Sequence, residues 1–160
     1  MSVIPRLREL LDRHGARYQI LEHPPAYTAR ATARSMHLPG REVAKVVVIR
    51  HGGALSLAVL PAQARIELER LGAALHDRVA LAPEAEIAAA FPDCEMGAMP
   101  PFGSLYGLKT YLDESLTHDR HIAFNAGTHV EAIRMPLEDY RRVAAPIVLW
   151  FAESLAGAKG

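Results

Sequence analysis

Lys45 opens the run Val46-Val47-Val48-Ile49. An ammonium at the mouth of a β-branched, strand-forming segment needs an anion or water beside it. Further on, Gly97 to Gly103 reads Gly-Ala-Met-Pro-Pro-Phe-Gly, so the loop comprises Gly97, Ala98, Met99, Pro100, Pro101, Phe102 and Gly103. Pro100 and Pro101 fix φ and carry no N–H, while the flanking glycines admit backbone angles and close approaches that other residues resist. Such a loop can aim bare amides, those of Gly97 and Ala98 first, at a carbonyl oxygen that gains negative charge. A third group follows the apolar run Ile122-Ala123-Phe124, where Asn125, Ala126, Gly127, Thr128 and His129 bring an amide, a hydroxyl and an imidazole to a strand end. Polar groups at strand ends are well placed for ligands. Each group alone has a plainer reading: a solvated lysine, a Pro/Gly turn, a surface histidine. The three together favour a site.

The elements that must position these groups can be read from the pattern. Ser2 is suited to cap a helix over residues 5–14, with Val3, Leu7, Leu10 and Leu11 on one face and Gly15 at its end. Tyr18 to Leu21 reads as a strand, and Thr28 as the cap of a helix from Ala29 to Met36. Lys45 to Arg50, His51-Gly52-Gly53 and Leu55 to Leu60 read as a β-hairpin with Lys45 far from the turn. Residues 62–75 have helical spacing in Ile66, Leu68 and Leu71, and 83–90 read as a further helix. Leu108 to Leu112, Ile122 to Phe124 and Val130 to Met135 supply strands, Leu137 to Val143 a helix, and Ile147 to Phe151 an apolar segment that must pack or pair. The expected fold is α+β, a single domain over residues 1–160 with a curved, mixed and largely antiparallel sheet flanked by helices.

Other chemistries lack their motifs. There is no Walker loop, dinucleotide fingerprint or G-x-S-x-G elbow. The close pair His118 and His121 has an arginine between its members, unlike a helical zinc site, so no metal and no cofactor is expected. Cys94 stands alone and reads as buried filler. The first residues carry charge at once and do not read as a signal peptide, and no apolar run approaches membrane-spanning length, so a cytoplasmic protein with no membrane partner is expected.

The chain resembles the YbaK/prolyl-tRNA synthetase-associated domain family of trans-editing aminoacyl-tRNA deacylases over nearly its whole length. The marks are Glu22-His23-Pro24-Pro25-Ala26-Tyr27-Thr28, Glu42-Val43-Ala44-Lys45, the G-x-x-x-P loop from Gly97 to Pro101, and Asn125 to His129. The resemblance implies hydrolysis of the ester of a mischarged aminoacyl-tRNA, helped by a substrate group such as the ribose 2′-hydroxyl. It assigns Lys45 to the tRNA 3′ end, the Gly97 to Pro101 loop to the aminoacyl carbonyl, and His129 to the substrate's neighbourhood. Tyr27, Thr28 and Val46 are expected pocket residues. Members that edit alanine resemble one another in having Asn directly after the lysine, where this chain has Val46, so alanine is expected to be a poor substrate. The expected partners are the aminoacyl-tRNA 3′ end and, through residues 147–151, a synthetase or a twin subunit of a homodimer. Eighteen basic and eighteen acidic side chains cancel, which counts against extensive tRNA contact and leaves room for recognition limited to the unpaired 3′ end. A non-catalytic module that binds an aminoacyl or nucleotide end is the alternative.

Overall fold

The computed structural model describes residues 4–154; the expected roles of Ser2 and Val3 lie outside them. Helix α1 (Pro5–Arg13) has a proline in its first turn and buries Leu7, Leu10 and Leu11 on one face. Strand β1 (Gln19–Glu22) follows, then α2 (Ala29–Met36). Thr28 caps α2 as expected, its hydroxyl oxygen accepting from Ala31 N–H at 3.0 Å. The hairpin is β2 (Ala44–His51) and β3 (Ala54–Pro61), paired from Ala44↔Pro61 to His51↔Ala54. Its turn residues Gly52 and Gly53 both have positive φ, +60° and +77°, the conformation that matches the twist of a tight hairpin.

The expected helix over residues 62–75 begins later. Ala64–Ile66 instead forms strand β4, and α3 covers Leu68–Leu75. The partner of β4 is β10 (Ala152–Ser154) near the far end of the described chain, with Arg65 opposite Glu153 and bonded to it at 3.0 Å. Between them run β5 (Ala80–Leu81), α4 (Glu84–Ala90), β6 (Lys109–Asp113), β7 (His121–Asn125), β8 (Glu131–Pro136), α5 (Leu137–Ala144) and β9 (Ile147–Leu149).

These strands make three sheets: β5-β2-β3-β6-β9, β1-β8-β7 and β10-β4. The β3–β6 and β6–β9 ladders are parallel and the other ladders between these strands are antiparallel. The expected mixed, largely antiparallel α+β architecture is borne out, with its strands spread over more than one sheet. An isolated parallel bridge between Val43 and Ala123 stitches the start of β2 to β7. The main core lies under this seam, where Phe102 meets Phe124 and Tyr140 at ring-centroid distances of 5.5 and 5.2 Å, both edge-on. Such contacts add about 0.5–1.5 kcal/mol each beyond burial. Tyr140 is fully buried, and its hydroxyl donates to Pro101 O at 2.8 Å. No helix among the described residues is long and apolar enough to cross a membrane.

Candidate active site

The seam between β2 and β7 opens into a cavity of about 170 Å³. Its walls come from Tyr27, Thr28 and Thr32 at the start of α2, Val43 to Val46 at the start of β2, Gly97 and Met99 in the loop, and Phe124, Asn125 and His129 at the end of β7 and beyond. Lys45, Gly97, His129, Tyr27, Thr28, Val46, Met99 and Asn125, singled out from sequence, therefore share one cavity. Thr32, Val43, Ala44 and Phe124 complete it. No motif marks them, and the bridge between Val43 and Ala123 brings Val43, Ala44 and Phe124 to one place.

Lys45 is half-buried and makes no ion pair among the described residues. Burial lowers its pKa below the ordinary lysine value, because leaving water disfavours the charged form. An ammonium held this way favours any anion that enters. Gly97 has φ +87°, a conformation that side chains with a Cβ rarely adopt. Its N–H and that of Met99 donate to nothing among the described residues. Both residues belong to the cavity wall.

Ala98 is different, and the expectation that its amide faces the carbonyl is corrected. Its N–H donates to Glu95 O at 3.0 Å, and the residue is fully buried and outside the cavity wall. The second half of the loop also lies outside that wall. Pro100, Pro101, Phe102 and Gly103 are buried; Phe102 N–H donates to Pro100 O at 2.8 Å, and Gly103 N–H to the Thr110 hydroxyl at 2.9 Å. They brace the loop against the core and do not line the cavity. Ala126 is fully buried in the core, and Gly127 exchanges backbone bonds with the loop, donating to Ala98 O and accepting from Glu95 N–H, both at 2.8 Å. Thr128 faces a separate groove with Glu22, His23, Glu95, Val130 and Glu131.

His129 is buried, and both of its ring nitrogens face carbonyl oxygens. Nδ1 lies 3.1 Å from Ala26 O and Nε2 lies 2.7 Å from Met96 O. A carbonyl oxygen stands at hydrogen-bond distance in front of each nitrogen, so neither is open to a water in this rotamer. The ring instead ties the segment before α2 to the loop, with Tyr27 tilted against it at 4.8 Å between centroids. Asn125 contributes a carboxamide whose Oδ1 is buried and has no hydrogen-bond partner. Cys94 sits outside the cavity, its thiol 3.3 Å from the Tyr106 hydroxyl and pushed up to about 11 by burial, which leaves it unreactive. Among the described residues no group of three or more His, Cys, Asp or Glu side chains is arranged to hold a metal ion.

Comparisons with known proteins place the chain among relatives. The family described as the aminoacyl-tRNA editing domain matches residues 23–143, which include every wall of the cavity. The multifunctional Ser/Thr-tRNA deacylase ProXp-y of Escherichia coli K12 is 30% identical over 153 residues, covering 91% of this chain and 90% of its own length. A crystal structure described as a candidate trans-editing enzyme for prolyl tRNA synthetase superposes with a TM-score of 0.83 at 20% identity, over 96% of this chain and all of that one. A protein described only as hypothetical gives 0.84 at 16% identity, over 92% of this chain and 99% of its own. At those identities the two solved structures speak for the fold. The family match and the bacterial deacylase speak for descent, and they bear out the resemblance read from the motifs: the chain belongs to the aminoacyl-tRNA editing domain family.

Proposed function

We propose that this chain removes a wrongly attached amino acid from tRNA by hydrolysing the ester to the terminal ribose, with the described residues working as one editing unit. The observation that carries the reading is the shared cavity, in which a half-buried, unpaired Lys45 stands with the unspent N–H groups of Gly97 and Met99. At about 170 Å³ the cavity is smaller than the roughly 300–1,000 Å³ of drug-sized sites. It suits an aminoacyl group, with the terminal adenosine left at the mouth.

Lys45 binds a phosphate or ribose oxygen of the 3′ end. Gly97 and Met99 donate to the carbonyl oxygen as it becomes an oxyanion, an effect typically worth about 10²–10³-fold per donor. Both ring nitrogens of His129 are engaged, so the water is activated by the substrate itself, the ribose 2′-hydroxyl being the nearest group to the ester. No covalent enzyme intermediate is required, because an aminoacyl ester is already reactive.

The bacterial relative is named for seryl- and threonyl-tRNA, and we extend those substrates to this chain. Asn125 supplies an unsatisfied carboxamide, Thr28 a hydroxyl proton, and Val46 an apolar wall. A hydroxyl-bearing side chain of small size fits that lining better than alanine does. We place the protein in the cytoplasm with the translation machinery. Residues 147–151, where Ile147 and Trp150 are exposed, are the proposed contact with a synthetase or a second copy.

Hydrolysis rates for seryl-, threonyl-, cysteinyl- and alanyl-esters of one tRNA species test the reading. Faster release of serine and threonine is expected. A preference for alanine overturns the specificity, and binding without turnover of any ester overturns the activity.

A further inference from the structure

The Met96–Gly97 peptide joins the two halves of the site. Its N–H belongs to Gly97, a residue of the cavity wall, and has no acceptor among the described residues. Its carbonyl belongs to Met96 and lies 2.7 Å from His129 Nε2, which donates to it in the Nε2–H tautomer. No cis peptide occurs among the described residues, and a trans peptide is planar with its N–H directed opposite to its C=O. Whatever fixes the Met96 carbonyl therefore aims the Gly97 N–H. A carbonyl that accepts a hydrogen bond also polarises its own amide, which makes that N–H a better donor.

His129 can do this only if its own main chain is held. It lies in the irregular turn between β7 and β8, outside any strand ladder. Its N–H is taken by the carboxylate of Glu95, Oε1 at 2.9 Å. The backbone of Glu95 is anchored to the same two segments, donating to Gly127 O at 2.8 Å and accepting from Ala98 N–H at 3.0 Å. Glu95 makes no ion pair among the described residues, so its carboxylate has no stronger competing partner.

We propose that Glu95 is a positioning residue for the deacylation, acting through the main chain of His129 and then through the imidazole on the Met96–Gly97 peptide, so that the Gly97 N–H points at the reacting carbonyl. The catalytic contact is made by Gly97, and Glu95 is exposed and lies outside the cavity wall. This rests on the deacylase reading above.

Glu95→Ala removes the acceptor and keeps every backbone bond. Glu95→Gln removes the charge and keeps an oxygen that can accept. Both variants are compared with the parent in single-turnover rate, in affinity for one misacylated tRNA, and in the backbone amide resonance of Gly97 in the free protein. For Glu95→Ala, the rate is expected to fall roughly ten-fold, part of the loss expected when an oxyanion donor is removed, with affinity within about two-fold of the parent. The Gly97 resonance is expected to shift, and Glu95→Gln to restore both rate and resonance. Parent-like turnover in Glu95→Ala, an unmoved Gly97 resonance, or a Gln variant no better than the Ala variant would each overturn the proposal. If the parent hydrolyses no ester, the deacylase reading fails by itself, and the resonance still decides whether Glu95 orients this peptide.

Discussion

Lys45 carries two opposed effects that one substitution separates. Its folded-state pKa lies below the ordinary lysine value of 10.5 because of burial. At neutral pH the charged form thus costs the folded state something, and that cost disappears once pH passes the unfolded value. Lys45→Met should melt no lower than the parent near pH 7, with the difference closing as pH rises toward and beyond 10.5. Deacylation should fall by roughly 10- to 100-fold, the worth of a hydrogen bond to a charged group. Thermal melts across pH, beside kcat/KM on one misacylated tRNA, check both halves. Full activity in the variant would exclude Lys45 from the contacts that bind the substrate. At this scale the sequence revealed which residues meet and concealed which of their atoms are free. Ala98 and Gly97 are neighbours in one loop, yet a single backbone bond to Glu95 removes the Ala98 donor from the site. Glu95 had no signal of its own, because one glutamate in a Pro/Gly-rich stretch looks like solvated surface.

The helices and strands that frame the site were legible where local rules act. Thr28 capping α2 and the paired glycines of the β2–β3 turn depend on neighbours in sequence, and both appear as expected. Strand β4 failed that test because its partner, β10, lies near the other end of the described chain, and strand formation follows its pairing partner more than its own propensity. Another long-range tie is open to experiment. Arg17, just before β1, holds the Asp139 carboxylate of α5 through its backbone N–H at 2.8 Å and its guanidinium at 3.0 and 3.1 Å. The Arg17 guanidinium pulls the Asp139 pKa down from 3.8 to about 2. A depressed carboxylate adds stability above its unfolded pKa and loses it as pH falls through the folded one. Asp139→Asn should therefore lower Tm at neutral pH, and the gap to the parent should close between pH 3.8 and about 2. A gap that stays constant over that range would show that the charge of Asp139 contributes nothing.

At the scale of the whole molecule, the class of fold was legible and the division into three sheets was not, because no local pattern announces the Val43–Ala123 bridge or the parallel joins of β6. Asp113 shows how the C-terminal strands are held to the rest. Buried at the end of β6, it accepts from Phe151 N–H and Ala152 N–H with Oδ1, both at 2.8 Å, and from Ser115 with Oδ2. Asp113→Ala orphans the donors of residues 151 and 152 and should cost roughly 2–4 kcal/mol, measured by urea unfolding. A loss within experimental error would show that water replaces the carboxylate.

The bracing of the loop by Phe102 and by the Tyr140 hydroxyl on Pro101 has one more consequence. The far bank of the cavity is continuous with the aromatic centre of the protein, so its loosening is expected to accompany the loss of that centre. Inactivation and global melting then follow the same curve, and adjustment to substrates of different size falls to the opposite bank, where Tyr27 stands 74% exposed.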